Sequence, residues 1–200
     1  MKQKLVNFLV ILIFIITNYK SSAQSADSYS FFTSTGNALD VMTGAATAVS
    51  SNTDDTPSGA ITIPGGMSFS FEGVGYTTFS VSPDGWLRLG SAGVAEYNNN
   101  ITSATNRPKI MPYWDDLATG TNGAVTYVVT GTAPNRILKI QWRVTIPWST
   151  TGASNSTFQA WLYETGGVIE FRYGTMGAAS MSASVGIGGA NSTNYRSVNI

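Results

Sequence analysis

From Ile137 to Val144 the residues Leu138, Ile140, Trp142 and Val144 occupy every second position, and Ile137, Lys139, Gln141 and Arg143 fill the gaps. Successive side chains of an extended chain point to opposite faces, so a period of two over this length builds a half-buried strand and excludes a helix. The same period returns in Ile169, Phe171 and Tyr173, with Glu170 and Arg172 between them. Each of these arms has a partner across a short turn. Val125 to Thr130 is joined to Arg136 through Gly131-Thr132-Ala133-Pro134-Asn135, and Thr157 to Tyr163 is joined to Val168 through Glu164-Thr165-Gly166-Gly167. A third hairpin, Thr77 to Val81 with Trp86 to Leu89, turns on Ser82-Pro83-Asp84-Gly85, where proline presets the backbone and Asp-Gly completes the turn. Strands with one oily face need a second layer to cover it. The expected fold is therefore all-β: an antiparallel two-layer β-sandwich.

Composition agrees. Ser, Thr, Asn and Gly make up 82 of 200 residues, which favours turns and strands over helix interiors. Further strands are expected at Ser28 to Thr33, Ala60 to Ile63, Ser68 to Phe71, Ile110 to Trp114, Ser182 to Ile187 and Tyr195 to Val198, giving roughly ten. Thr43 to Gly59 and Gly90 to Arg107 read as polar loops.

The amino terminus reads as an export address. Met1-Lys2-Gln3-Lys4 is cationic, Leu5 to Ile16 is apolar, and Ser21-Ser22-Ala23 offers small residues at the −3 and −1 positions of a cleavage site. The apolar run is too short to span a bilayer, which takes about 20 residues. Cleavage after Ala23 leaves a single domain, residues 24–200, with eight basic and eleven acidic residues and a formal charge of −3. That balance argues against nucleic acid and anionic lipid as partners. There is no Cys and no His, which excludes disulfides, thiol nucleophiles, Cys- or His-ligated metal and every Ser-His-Asp triad.

An ordered series of motifs carries a resemblance. Ile110-Met111-Pro112-Tyr113-Trp114-Asp115-Asp116-Leu117 is followed by Val125-Thr126-Tyr127, Ile140-Gln141-Trp142, Phe158-Gln159-Ala160-Trp161-Leu162-Tyr163-Glu164, Val168-Ile169-Glu170-Phe171-Arg172-Tyr173-Gly174 and Ser184-Val185-Gly186-Ile187. In this order, from about Tyr29 to Val198, the chain resembles the amino-terminal β-sandwich domain of secreted Bacteroidota surface proteins, which are cargo of the type IX secretion route. It is distantly similar to the nidogen-type extracellular domain, so the sandwich is expected to be of jelly-roll or nidogen-like type. The resemblance implies an exported, noncatalytic cell-surface module, with no catalytic residues to carry over. The chain reaches Ile200 without repeats or a sorting domain, so the expectation is the amino-terminal part of a longer protein.

Three candidate sites follow from the residues. Asp115-Asp116, behind an aromatic strand end, could hold Ca²⁺ through oxygen ligands or cap a turn. Neighbours on a strand diverge, so the two converge only if the backbone turns there. Asp54-Asp55 offers a second set of loop carboxylates, and Asp84 reads as a turn residue. On the outward side of the last hairpins, Trp161 and Tyr163 with Gln141, Arg143, Glu170 and Arg172 form the pattern of a glycan-binding sheet, with Gln159 and Lys139 beside them. A cross-strand ladder, or cover from another loop, would account for the same residues. Asn100, Asn155 and Asn191 match the N-glycosylation pattern and read as chance products of the composition. The expected function is a noncatalytic binding, adhesion or architectural module with a glycan or protein as extracellular partner. The alternative is a jelly-roll carbohydrate-active enzyme, or an accessory domain of one, which would need two convergent carboxylates.

Overall fold

A computed structural model describes residues 24–177 and 182–198. The expected leader, residues 1–23, lies outside the described residues. Among the described residues no helix is long and apolar enough to cross a membrane.

The chain forms antiparallel sheets, two of them broad. The strands in chain order are β1 (Ala46–Val49), β2 (Ile61–Thr62), β3 (Phe69–Phe71), β4 (Val74–Tyr76), β5 (Thr78–Ser82), β6 (Trp86–Leu89), β7 (Lys109–Trp114), β8 (Ala124–Thr130), β9 (Ile137–Val144), β10 (Ser156–Tyr163), β11 (Ile169–Tyr173), β12 (Ser184–Gly188) and β13 (Tyr195–Val198). One sheet runs β1-β8-β9-β10-β11, the other β13-β12-β7-β6-β5-β2, and β3-β4 stands as a separate hairpin.

The alternation read from the sequence is the alternation of the core. Leu138, Ile140, Trp142 and Val144 of β9 and Phe158, Ala160 and Leu162 of β10 are sealed in one interior with Phe79, Val81, Leu87, Leu89 and Ile110 from the opposite sheet. Each fully buried side chain of this size contributes roughly 1.5–3 kcal/mol. The four inward residues of β9 therefore outweigh any solvent-exposed ion pair on its other face. Two polar contacts tie the layers: Trp142 Nε1 donates to the Ser82 carbonyl at 2.8 Å and the Tyr173 hydroxyl to the Pro112 carbonyl at 2.6 Å. Trp142 stacks on Phe158 with ring centroids 5.4 Å apart.

Strand β7 carries a bulge. Ser184 pairs with Trp114 and Gly186 with Met111, so three steps on β7 face two on β12. Pro112, which has no N–H to give a ladder, sits inside that stretch. The extra residue resets the alternation. Ile110 and Tyr113 face the core, while Trp114 packs with Met111 and Trp86 in a separate outer cluster.

Two expectations are corrected. Ser28 to Thr33 is not a strand: a short 3-10 turn, Ala26–Ser28, leads into irregular chain with no sheet neighbour, and Phe31 and Phe32 stand exposed. Nor is Thr43 to Gly59 all loop, because β1 lies within it and closes the edge of the five-stranded sheet on β8. The β4 arm was not expected either; it returns from β3 through Glu72-Gly73.

Candidate functional site

The outer face of β9-β10-β11 brings together most of the residues expected there. Register places Lys139, Trp161 and Glu170 in one cross-strand row and Gln141, Gln159 and Arg172 in the next. Trp161 is a platform for two cations, with the Arg172 guanidinium 3.5 Å and the Lys139 ammonium 4.2 Å from the ring centre. Glu170 accepts from Arg172 Nε at 2.8 Å and from the Tyr163 hydroxyl at 2.6 Å. Burial and that carboxylate push the Tyr163 hydroxyl up to about 12. Arg143 is exposed further along β9, beside Ala124 and Thr157, and stays out of this group.

This face is covered. Residues 38–41 cross it as an irregular strap. Gln159 grips the strap backbone at both ends of one residue: its Oε1 accepts the Asp40 N–H at 3.1 Å and its Nε2 donates to the Asp40 carbonyl at 2.8 Å. Arg172 donates to the Ala38 carbonyl at 3.0 Å, and the Asp40 carboxylate pairs with Lys139. Trp161 is left 7% exposed. The outward orientation read from the period is as expected, and a loop lies over it.

The outer face of the six-stranded sheet is closed the same way by the loop of residues 91–106. Lys109 is 1% exposed, 3.7 Å from the Trp114 ring centre and 5.4 Å from that of Trp86. Its ammonium meets Glu96 Oε2 at 2.5 Å, and burial between the indoles pushes Lys109 down to about 8. Both indole N–H groups donate to the Glu96 carbonyl, at 3.0 and 3.2 Å. Asn106, 3% exposed, donates to the same Oε2 at 2.8 Å. Sequence reasoning missed this group. One signal was present: from residue 24 onward the chain has only two lysines, Lys109 and Lys139, and each lies within or at the start of an apolar strand segment.

Carboxylates also converge, though not as Asp115 with Asp116. Asp54, Asp55, Asp84 and Asp116 each bring an oxygen to within 4.8 Å of the others. Three segments build this junction. The turn after β5 supplies Asp84, whose carboxylate accepts from the Ser82 hydroxyl at 2.8 Å and the Leu117 N–H at 3.3 Å. Gly85 permits the turn: at φ +77°, a Cβ there would fall 1.8 Å from the Tyr113 carbonyl oxygen. Ala118 bridges to Asp54 on one side and Thr145 on the other, fixing the 53–55 loop against the end of β9. Asp115 stays outside the group; its Oδ1 accepts the Asp116 N–H at 2.8 Å. Burial, more than the neighbouring charges, raises Asp55 and Asp116 and pushes Asp84 up to about 8. An all-oxygen donor set of this kind suits Ca²⁺, and Asp54, Asp55, Asp84 and Asp116 are the residues that could hold it.

Fold and faces together define the class: an antiparallel β-sandwich module whose two outer faces are closed by its own loops. The family can be named as well. The chain belongs to the nidogen-related family, whose model, described as "NIDO related", matches residues 28–200. That family makes it an extracellular type of module. No curated protein and no solved structure matches the chain.

Proposed function

We propose that this chain is a noncatalytic architectural or adhesive module of an exported bacterial cell-surface protein, carried by the type IX route. One observation supports the reading above the others. The aromatic and charged side chains that would line a ligand cleft on an open sheet are instead engaged by the chain's own strap and loop, with Lys139, Trp161 and Lys109 all buried. A sandwich closed on both faces is suited to holding shape between other modules. The four converging aspartates favour the noncatalytic reading too. Asp84 is fully buried and its carboxylate is taken up within the fold by the Ser82 hydroxyl and the Leu117 N–H.

A second reading, glycan recognition, draws on the strap. Asp40 presents a carboxylate to Lys139 over the Trp161 ring, and a uronic or sulfated sugar would offer the same anion to the same cation. A glycan array including acidic sugars tests both readings with three proteins: the parent, Asp40→Ala and Trp161→Ala. The architectural reading expects no specific binding by any of them, and a large loss of thermal stability in Trp161→Ala. Binding that appears or rises in Asp40→Ala and disappears in a folded Trp161→Ala would replace it with the glycan reading.

A further inference from the structure

Lys109, Glu96 and Asn106 form an arrangement that an ion pair alone does not require. The carboxylate of Glu96 is shared, its Oε2 accepting from the Lys109 ammonium at 2.5 Å and from the Asn106 carboxamide at 2.8 Å. The nucleophile and the carboxamide are thus held two hydrogen bonds apart on one oxygen, with a proton carrier between them. The Asn106 carbonyl oxygen accepts the Val94 N–H at 2.9 Å, a backbone donor aimed at the atom that would become negative if the carboxamide were attacked. The group is dry: Lys109 and Asn106 are 1% and 3% exposed, and the indoles of Trp86 and Trp114 wall it while clamping the Glu96 backbone. Burial pushes Lys109 down to about 8, so the free amine is within reach near neutral pH.

We infer that Lys109 and Asn106 are the partners of a self-formed isopeptide bond, with Glu96 carrying the proton. This chemistry is independent of whether the module is architectural or adhesive. The Lys109 ammonium gives a proton to the Glu96 carboxylate, and the freed Nζ attacks Cγ of Asn106. Negative charge gathers on Oδ1 against the Val94 N–H. Glu96 returns its proton to the departing Nδ2, the Cγ–Nδ2 bond breaks, and ammonia leaves with the second proton released from Nζ, as ammonium. One C–N bond replaces another, Glu96 ends as it began, and no oxidant or activating group is consumed.

Trypsin and mass spectrometry of the purified full-length chain decide the matter. Arg88, Arg107 and Lys109 are the basic residues in this stretch, the next is Arg136, and the bond after Arg107 is protected by Pro108. An unlinked chain releases peptides 89–109 and 110–136. A linked Lys109 is no longer a trypsin site, so the expected product is a single peptide, 89–136, lighter than its sequence by one ammonia. The separate peptides at full mass, or an uncut peptide at full mass, would overturn the inference. A peptide 89–109 that is lighter by one ammonia but still cut at Lys109 would also overturn it, since that marks a cyclic imide at Asn106 alone. Glu96→Gln is expected to return the two separate peptides, and a link that persists in this variant overturns the role given to Glu96. The link can form only in the folded chain, so Glu96→Gln is scored after its circular-dichroism spectrum has been shown to match the parent's and its melt to be cooperative.

Discussion

The two outer faces use one device at two depths. On the six-stranded sheet, Lys109 lies between two indoles and meets a carboxylate that is 12% exposed. On the five-stranded sheet, Lys139 shares one indole with Arg172 and meets Asp40, which is 35% exposed on an irregular strap. The chemistry is nearly the same, but the dielectric surroundings are not. A buried pair interacts strongly only after a large desolvation cost, and breaking one partner strands the other. A solvent-facing pair is screened and readily released. The first face is therefore a lock and the second a latch.

The largest expected effect comes from breaking the lock. Glu96→Ala leaves the Lys109 ammonium without its carboxylate between Trp86 and Trp114, and it removes the partner of Asn106. A loss of about 3–5 kcal/mol is expected, read from chemical denaturation. Replacing both charged partners, as Lys109→Met with Glu96→Gln, should cost clearly less than Glu96→Ala alone. Equal losses would mean that the loop, rather than the charge, carries the stability of this face.

A buried charge with no cation beside it sharpens the contrast. Asp84 is fully buried, its bonded partners are Ser82 and Leu117, and Asp55 and Asp116 add like charge. Its acidity in the folded chain is shifted from 3.8 up to about 8, so the native state binds more protons than the unfolded one between those values. Stability is then full below the lower value and falls as pH rises toward 8. Asp84→Asn keeps both hydrogen bonds, since Nδ2 can donate to Ser82 and Oδ1 can accept from Leu117. It is expected to flatten the fall by on the order of a few kcal/mol at pH 8, with Asp55 and Asp116 retaining part of the slope. Urea titrations at pH 5 and pH 8 in EDTA test this. A rise in Tm on adding Ca²⁺ that vanishes in Asp84→Asn would instead mark the four aspartates as a cation site.

The sequence disclosed these features unequally, for physical reasons. Alternation in β9 and β11 and the Pro-Asp-Gly turn are local signals, so the inward set, the hairpins and the outward row of Trp161 could be read directly. The cover over that row could not. Asp40 lies 99 positions from Lys139, and the strap that carries it has no period to betray it. The same holds for the aspartates: each was visible in its own segment, but Asp84 lies 32 and Asp54 62 positions before Asp116, and nothing local brings them together. Trp114 and Lys109 share a face only because of the bulge at Pro112; strict alternation would have separated them. What depends on nearest neighbours was legible, and what depends on loop closure was not.

The smallest effect, and the most selective, belongs to the latch. The hydrogen bond from Lys139, more than the charges of Lys139 and Arg172, holds the Asp40 carboxyl below its ordinary value. A depressed carboxyl contributes stability above its unfolded pKa and loses it as pH falls through the folded one. The strap should therefore loosen in acid, below about pH 4, while the sandwich beneath it remains intact. Asp40→Asn should produce the same opening at neutral pH, because the amide cannot pair with the ammonium although Gln159 still grips the backbone. Hydrogen exchange at residues 38–41 should quicken and Trp161 fluorescence shift to the red, with the exchange of β9 and β10 core amides unchanged. If those core amides quicken together with the strap, the two faces do not differ in kind, and the strap is as much a part of the cooperative fold as the loop over Lys109.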